Sequence, residues 1–393
     1  MNFCILGSHP QISLAELQAI MPSTDFNICG NNMVLYENDD FDDQVLMNLL
    51  GGTVKLGKIL IQTKTNQLTP EFIATELSKA KPDDSSKISL DFGWTIYHAP
   101  KALNKKLEKF PIQIKKELKR LGFSCRWVTS KNHTPLTPAA VAKCKLTQKP
   151  NADLCVCAFG ENIIIGRTTQ VQNADAWSLR DFGRPVRDSL NGMLPPKLAR
   201  ILVNLVATKK DNVILDPFCG SGTILMEAAL ATNTKKIIGS DIADKQVAST
   251  QKNIDWLIDE NILRPDDQDR FQLFTSDVKL INEHLKPKSV DLIVTEGWLG
   301  PPLQGNESQI TLEKNAKAVT SLWLDSLTAL KPLLKSTSRL AIIAPQYRTR
   351  NGTAGVNLDP HLNNLGYKLI NTSLIYSRSN QFIERKIMLL QPK

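Results

Sequence analysis

The spacing of apolar and polar residues predicts alternating strands and helices, with a change of architecture near residue 175. Apolar runs at 3–6 and 33–36 flank a helical pattern at 13–20, which is typical of a small α/β unit. A turn at Gly160 between two apolar runs indicates a β-hairpin. The other elements expected before residue 175 are strands at 95–97, 125–129, 153–158 and 162–167 and a helix at 105–121.

The second half of the chain has a regular βα pattern. Its elements are strands at 212–216, 236–241, 271–277, 290–295 and 340–344, with helices at 221–231, 243–257 and 312–334. Strands separated by helices of this length imply a parallel sheet covered on both faces. Two last strands, 367–376 and 383–390, are separated only by residues 377–382, so this pair must be antiparallel.

These patterns divide the 393 residues into several regions, as the length of the chain also suggests. We expect an α/β subdomain of ferredoxin-like type at 1–60 and a second α+β region at 61–175. A polar segment at 176–192 is interpreted as a linker, and residues 193–393 form the βα region.

Composition is that of a folded globular protein, with 42% hydrophobic and 22% charged residues. No run reaches the roughly 20 apolar residues of a membrane span, and the N-terminus lacks a basic leader region, so we expect neither membrane insertion nor export. Seven cysteines without Cys-x-x-Cys spacing favour reduced thiols in the cytoplasm over disulfides or a zinc site. The net charge of +9 favours a polyanionic partner.

The sharpest motif is an apolar strand that ends in Asp216 and runs into a glycine-rich loop and a helix. Gly220 and Gly222 allow a tight turn and a close approach of the backbone to a ligand. Asp241 and Asp277 end the next two strands, so three carboxylates meet at the sheet edge where α/β proteins bind ligands. The loop lacks the Gly-Lys-Ser/Thr ending of triphosphate sites. The pattern predicts a ribose-bearing cofactor that needs few phosphate contacts.

The sequence Asp-Pro-Phe-Cys-Gly-Ser-Gly-Thr, from Asp216 to Thr223, resembles the cofactor motif of class I methyltransferases that act on exocyclic amines. The preceding segments 184–188 and 192–199 resemble the corresponding region of THUMP-domain tRNA guanosine-N2 methyltransferases. Further similarity to that family lies at 5–10, 13–17, 149–154, 166–172 and 376–385.

The resemblance implies a fold and an activity. Residues 193–393 would be a Rossmann-like class I methyltransferase domain, with a seven-stranded, mostly parallel sheet and an antiparallel last hairpin. Residues 61–175 would be a THUMP-like RNA-binding domain. The cofactor would be S-adenosylmethionine, and the substrate would be the N2 amine of a guanosine in tRNA, the tenth nucleotide being the best-known target. No metal is implied, and a small activating protein partner is compatible with the family.

The resemblance also implies a cofactor site. Asp216, Gly220 and Gly222 would surround the methionine moiety, Asp241 the ribose and Asp277 the adenine amine, although Asp277 could equally be a strand-end cap. The complete implied set is Met193, Leu194, Pro195, Asp216, Phe218, Gly220, Gly222, Thr223, Asp241, Ile242, Asp277 and Val278.

The catalytic motif departs from the family pattern of Asp or Asn, Pro, Pro, and Tyr or Phe. Here Glu296 supplies the carboxylate, Gly297 replaces a proline, and Trp298 offers a stacking surface one position early. Because amine methylation needs positioning more than a strong base, this pocket can still work. The competing interpretations are a catalytically degenerate or partner-dependent RNA-binding protein, and an enzyme that methylates DNA or protein.

A basic helix in the first half is the candidate RNA contact, where cations would bind phosphates without reading bases. A basic helix can equally be a solvated face. The candidates are Lys105, Lys106, Lys109, Lys115, Lys116, Lys119, Arg120 and Arg167.

Overall fold

The computed structural model describes residues 1–38, 40–80, 89–130, 135–187, 193–208, 210–370, 374–379 and 381–393. The chain forms two compact units, Met1–Ala176 and Trp177–Lys393. Each unit is built on a β-sheet of its own. Among the described helices, none has the length and apolar character that a membrane crossing requires.

The N-terminal unit has an eight-stranded sheet in the order β2-β3-β1-β4-β8-β7-β5-β6. The β7–β8 hairpin is antiparallel and Gly160 has φ +56°, which confirms the predicted turn. The strands are β1 Asn2–Leu6, β2 Phe26–Cys29, β3 Met33–Tyr36, β4 Thr53–Lys64, β5 Ser89–His98, β6 Ser124–Val128, β7 Ala152–Phe159 and β8 Asn162–Val171. The helices are α1 Pro10–Ile20, α2 Asp43–Leu49, α3 Pro70–Ser78, α4 Lys101–Leu107, α5 Phe110–Arg120 and α6 Pro138–Lys143, and α7 Ala174–Ser178 lies at the junction of the units.

The structure does not divide the chain at residue 60, as the sequence suggested. Strand β4 crosses that position and pairs with β1 on one side and β8 on the other. A buried ion pair, 2.7 Å between Lys55 Nζ and Asp153 Oδ2, joins β4 to β7, and the Thr168 hydroxyl donates to the same carboxylate oxygen at 2.7 Å. Residues on both sides of the expected boundary therefore share one sheet and one buried polar cluster.

Two other expectations are corrected. The single helix expected at 105–121 is two helices, because Pro111 stands in the first turn of α5 and starts a new helix. The segment 176–192 is not simply a linker: its part 177–187 belongs to the C-terminal unit, and residues 188–192 lie outside the described residues. Buried Arg180 forms an ion pair with Glu227 at 2.7 Å, which fixes this segment.

Among its described residues, the C-terminal unit has nine strands, with seven along the path β11-β10-β9-β12-β13-β17-β15. Strands β9 to β13 are parallel, and β17 is antiparallel to β13 and β15, as predicted for a class I methyltransferase fold. The strands are β9 Val213–Asp216, β10 Lys236–Asp241, β11 Phe271–Thr275, β12 Val290–Thr295, β13 Leu334–Thr349, β14 Gly352–Gly355, β15 Tyr367–Leu369, β16 Leu374–Tyr376 and β17 Ile383–Pro392. The helices are α8 Pro196–Val206, α9 Thr223–Ala231, α10 Asp244–Asp259, α11 Gln309–Leu330 and α12 Asp359–Leu362.

Burial explains why the central strands are almost continuously apolar. All six residues of β12 are buried, as expected for a parallel strand covered on both faces. The carboxyl ends of β9, β10 and β12 lie side by side, since these strands are parallel neighbours or next neighbours. This arrangement brings Asp216, Asp241 and Glu296 to one edge of the sheet.

Candidate active site

A cavity of about 870 Å³ opens at this edge, within the C-terminal unit. It brings together most of the residues that the sequence analysis selected for cofactor binding and catalysis. Those that line it are Met193, Leu194, Asp216, Phe218, Gly220, Thr223, Asp241, Ile242, Asp277, Val278, Glu296, Gly297 and Trp298.

The glycine-rich loop is tied to the two neighbouring carboxylates. The amide of Phe218 donates to Asp216 Oδ1 at 3.1 Å, and the amide of Gly220 donates to Asp241 Oδ2 at 3.0 Å. Asp241 Oδ1 accepts from the amide of Ala243 at 3.0 Å. Gly220 has φ +52°, and a Cβ built on it meets no atom within 4 Å. The loop therefore presents bare backbone to open space beside an oriented carboxylate.

Two predicted cofactor residues, Pro195 and Gly222, are not among those that line the cavity. Gly222 has φ +82°, and a Cβ there would lie 2.8 Å from Thr250 Cγ2. Its role is to let the loop pack against α10. Pro195 is buried at the start of α8, directly after the cavity-lining Leu194.

The acidic groups at this end have different environments. Burial raises the pKa of Asp216 from 3.8 to about 7, although the Thr295 hydroxyl and the Phe218 amide act in the opposite direction. Asp277 lines the cavity and also caps the short helix Val278–Glu283, since its Oδ1 accepts from the Lys279 amide at 2.9 Å. Asp277 is therefore both a helix cap and part of the cavity wall.

The other end of the cavity is organised around an ion pair that sequence reasoning missed. Arg385 Nε donates to Glu296 Oε1 at 2.6 Å, and Arg385 Nη1 donates to Gln381 Oε1 at 3.1 Å. All three residues line the cavity, while the Arg385 side chain is buried. Burial raises the pKa of Glu296, and the contact with Arg385 offsets part of this effect. The only sequence signal for this pair was the family resemblance at 376–385.

The glycine in the catalytic motif has a conformational reason. Gly297 has φ +70°, which a proline ring, with φ near −65°, cannot adopt. A Cβ at this position would also lie 2.5 Å from Cζ2 of the buried Trp323 ring. Gly297 thus lets the chain after Glu296 turn back over an aromatic wall.

Two exposed aromatic rings line the same end. Trp298 is 45% exposed and Phe382 is 37% exposed, and both line the cavity. Leu299, which follows Trp298, is buried, and its carbonyl accepts from the Tyr347 hydroxyl at 2.8 Å. The aromatic surface expected from the motif is therefore supplied by Trp298, and Phe382 adds a second ring that the motif did not reveal.

Arg184 contacts two of the side chains that line the cavity. Its buried guanidinium donates to the Thr223 hydroxyl at 2.6 Å and contacts the sulfur of Met193 at 2.9 Å. Both partners line the cavity. Arg184 lies in the segment that resembled the family before the cofactor motif, so a signal for it existed.

The candidate RNA-binding residues all lie in the N-terminal unit. On α4, α5 and the residues between them, Lys115 is half-buried and the other basic candidates are exposed, as on a solvated face. Arg120 is paired with Glu117 at 2.7 Å. Half-buried Arg167 donates to the carbonyl of Asn151, and burial lowers the pKa of Arg167. This hydrogen bond connects β8 to the residue that precedes β7.

Comparisons with known proteins match this chain to methyltransferase families. Residues 184–355 match the family UPF0020, described as an RMKL-like methyltransferase domain, and residues 58–252 match a DNA methylase family, N6_N4_Mtase. A possible methylase from Clostridium difficile 630 has the same fold, with a TM-score of 0.50 and 12% identity over 100% of this chain and 98% of its own.

The curated relatives that match this chain include guanine-N2 methyltransferases of RNA. The chain is 32% identical over 158 residues to a tRNA (guanine(10)-N2)-dimethyltransferase from Methanothermobacter thermautotrophicus, covering 40% of each chain. It is 30% identical over 99 residues to the human U6 snRNA (guanine-N(2))-methyltransferase THUMPD2, covering 25% of this chain and 18% of that protein. The first two relatives, the second from Methanocaldococcus jannaschii, are matched over about two fifths of their length.

The sheet order and the position of the cavity define a class I methyltransferase. Within that class, the chain is similar to tRNA and snRNA guanine-N2 methyltransferases over part of its length.

S-adenosylmethionine, the cofactor of class I methyltransferases, fits the residues present. The cavity end formed by Asp216, Asp241 and Asp277 is acidic, and no ion pair joins any of the three to a basic side chain among the described residues. A cationic sulfonium and ammonium suit such an end, and the open space at Gly220 allows close approach of the backbone. Asp241 would hold the ribose, Asp277 the adenine, and Asp216 with Gly220 the methionine moiety.

Proposed function

We propose that the protein transfers a methyl group from S-adenosylmethionine to the exocyclic N2 amine of a guanosine in tRNA, at the tenth nucleotide. The observation that carries the proposal is that one cavity holds both an acidic cofactor end and a carboxylate, Glu296, fixed by Arg385 at 2.6 Å. The names of the relatives support the substrate and the position. Cytoplasmic location and the predicted small activating protein partner belong to the same proposal.

The bound cofactor would supply an electrophilic methyl group on a sulfonium. The residues of this chain would then act by positioning, which can lower the barrier by several kcal/mol. Glu296 Oε2 would accept a hydrogen bond from the amine and aim its lone pair, while the rings of Trp298 and Phe382 would stack on the base taken out of the RNA. When the nitrogen sheds a proton, Glu296 is the nearest carboxylate on this wall, and its raised pKa suits it to accept that proton.

The test is transfer of labelled methyl from S-adenosylmethionine to unmodified tRNA, followed by digestion and identification of the labelled nucleoside. The expected product is N2-methylguanosine, and replacing guanosine 10 should abolish it. Glu296→Gln should lower transfer by about 100-fold or more with unchanged cofactor affinity, because the acceptor is lost and the cofactor end is not. Asp241→Ala should lose cofactor binding itself.

The control variant is Glu260→Gln, which removes an exposed carboxylate at the end of α10, outside the cavity wall. It should behave as the wild type. Label in an adenosine or in protein would contradict the proposed substrate. Binding of both cofactor and tRNA without any transfer would instead indicate either that the activating partner is required or that the pocket around Gly297 is catalytically degenerate.

A further inference from the structure

Arg385 organises two side chains at the base end of the cavity. Its guanidinium carries only donors, so each partner must turn an oxygen toward it. Glu296 presents Oε1 at 2.6 Å, and Gln381 presents Oε1 at 3.1 Å. Because the amide oxygen of Gln381 is fixed in this way, its NH2 group is turned away from Arg385. The orientation of both polar groups is therefore set by one buried cation.

The two atoms that Arg385 does not engage are a hydrogen-bond acceptor, Glu296 Oε2, and a hydrogen-bond donor, Gln381 Nε2. Among the described residues, nothing donates to Glu296 Oε2, and Gln381 Nε2 donates to nothing. Both side chains line the cavity, and Gln381 is exposed. The cavity wall thus offers an acceptor, Glu296 Oε2, and a neutral donor, Gln381 Nε2, on either side of Arg385.

This pattern is complementary to one edge of one base. The Watson–Crick edge of guanine carries donors at N1 and N2 and an acceptor at O6, whereas adenine has a donor at C6 and an acceptor at N1. A carboxylate facing N1–H and N2–H, with an amide NH2 facing O6, matches guanine. The same two groups would meet adenine with an acceptor against its N1 lone pair and a donor against its 6-amine.

We propose that Glu296 and Gln381 read the guanine edge and that Arg385 is the positioning residue that sets their polarity. The inference rests on the proposed function and adds to it the residues that determine base specificity. Its energetic basis is that a site built to hydrogen-bond a polar group rejects the analogue that leaves its buried groups unpaired. Stacking by Trp298 and Phe382 would hold any base, so the polar pair must supply the choice between bases.

The experiment uses full-length protein and two tRNAs that differ only at the nucleotide that the wild type methylates. One carries guanosine and the other the riboside of 2,6-diaminopurine. Both bases have the 2-amine, but diaminopurine has an amine in place of O6 and no proton on N1. The measured quantity is the ratio of kcat/KM for the two substrates. The wild type should prefer guanosine by about 100-fold or more.

Gln381→Glu replaces the outward donor with an acceptor at an exposed position. The expected result is a preference for guanosine that falls by about tenfold or more, because the diaminopurine 6-amine can donate to the new acceptor, whereas guanine O6, itself an acceptor, loses its donor. Arg385→Lys keeps the charge but cannot hold both partners in a fixed fork, so it should also lower the ratio, with unchanged cofactor affinity. The matched control is Gln391→Glu, which lies on β17, the strand of Arg385, opposite Lys368. This variant should keep the wild-type ratio of kcat/KM values.

The possible outcomes separate the two proposals. If Gln381→Glu slows both substrates equally, or leaves the ratio unchanged while guanosine is still methylated, the guanine-reading role of this pair is wrong. If the wild type does not methylate guanosine in tRNA at all, the proposed function itself is wrong, and this inference goes with it.

Discussion

Two carboxylates in the cavity, the buried Asp216 and the half-buried Glu296, have opposite electrostatic environments. Asp216 has no ion pair with a basic side chain among the described residues, and burial raises its pKa to about 7. Glu296 is paired with buried Arg385 at 2.6 Å. The Asp216 carboxylate has no basic partner and therefore favours a cationic ligand. The charge of Glu296 is already balanced by Arg385, so that end of the cavity suits a neutral base. Under the proposed function, this difference would let a cationic cofactor and a neutral base bind in one cavity without competing for the same groups.

The largest effect should come from the uncompensated carboxylate. Between pH values of about 4 and 7 the folded protein keeps the Asp216 proton that the unfolded chain, with a pKa of 3.8, has released. Stability relative to Asp216→Asn should therefore fall as pH rises through this range, by up to about 4 kcal/mol, and stay constant above it. Urea unfolding of cofactor-free protein at a series of pH values measures this difference.

Glu260→Gln serves as the control for this pH series, because it removes an exposed carboxylate at the end of α10, outside the cavity wall. A parallel pH dependence of the wild type and Asp216→Asn would show that Asp216 has an ordinary pKa. Saturating S-adenosylmethionine should flatten the wild-type decline, since a cation beside Asp216 favours its ionised form.

An intermediate effect should come from removing the compensation at the other end. Arg385→Met leaves the half-buried carboxylate of Glu296 without its partner and should lower the free energy of unfolding by about 3 kcal/mol. Adding Glu296→Gln to that variant should restore part of the loss. A double-mutant cycle by urea unfolding measures the coupling, and strictly additive effects would contradict a stabilising pair.

The smallest effect concerns the backbone between the two ends. Gly297→Ala places a Cβ at φ +70° and 2.5 Å from Trp323, so it should cost about 2 kcal/mol and slow methyl transfer. The matched variant Gly122→Ala has φ +91° with nothing within 4 Å and should cost about 1 kcal/mol through strain alone. Equal costs in thermal unfolding would mean that contact with Trp323 is unimportant.

How far the sequence could predict the site depends on the distance between its parts along the chain. Asp216 and Gly220 share one short motif, and Asp241 ends the next strand, so a local pattern was enough to select them. Arg385 lies 89 residues from Glu296 and reaches it because β17 pairs with β13, a long-range register that no local pattern encodes.

The fold shows the same limit. The order of strands and helices in the C-terminal unit followed from periodicity, because each element is a local pattern. The subdomain boundary expected at residue 60 was wrong because Lys55 pairs with Asp153, 98 residues away, and a pattern of short elements does not reveal such a link. Strand β14, only four residues long, was also missed, and the single strand expected at 367–376 contains two short strands, β15 and β16.

The packing of the Phe382 ring against Gly305 has an evolutionary consequence. Gly305 has φ +92°, and a Cβ added to it would lie 2.2 Å from Cζ of the Phe382 ring. Any side chain at 305 would displace a ring that faces the cavity, so the two positions share a single volume although 77 residues separate them. Among descendants of a common ancestor, a lineage that acquires a side chain at 305 should also have exchanged the ring at 382 for something smaller. Substitutions at positions 305 and 382 are therefore expected to occur together, because both side chains would occupy the same space in the cavity wall.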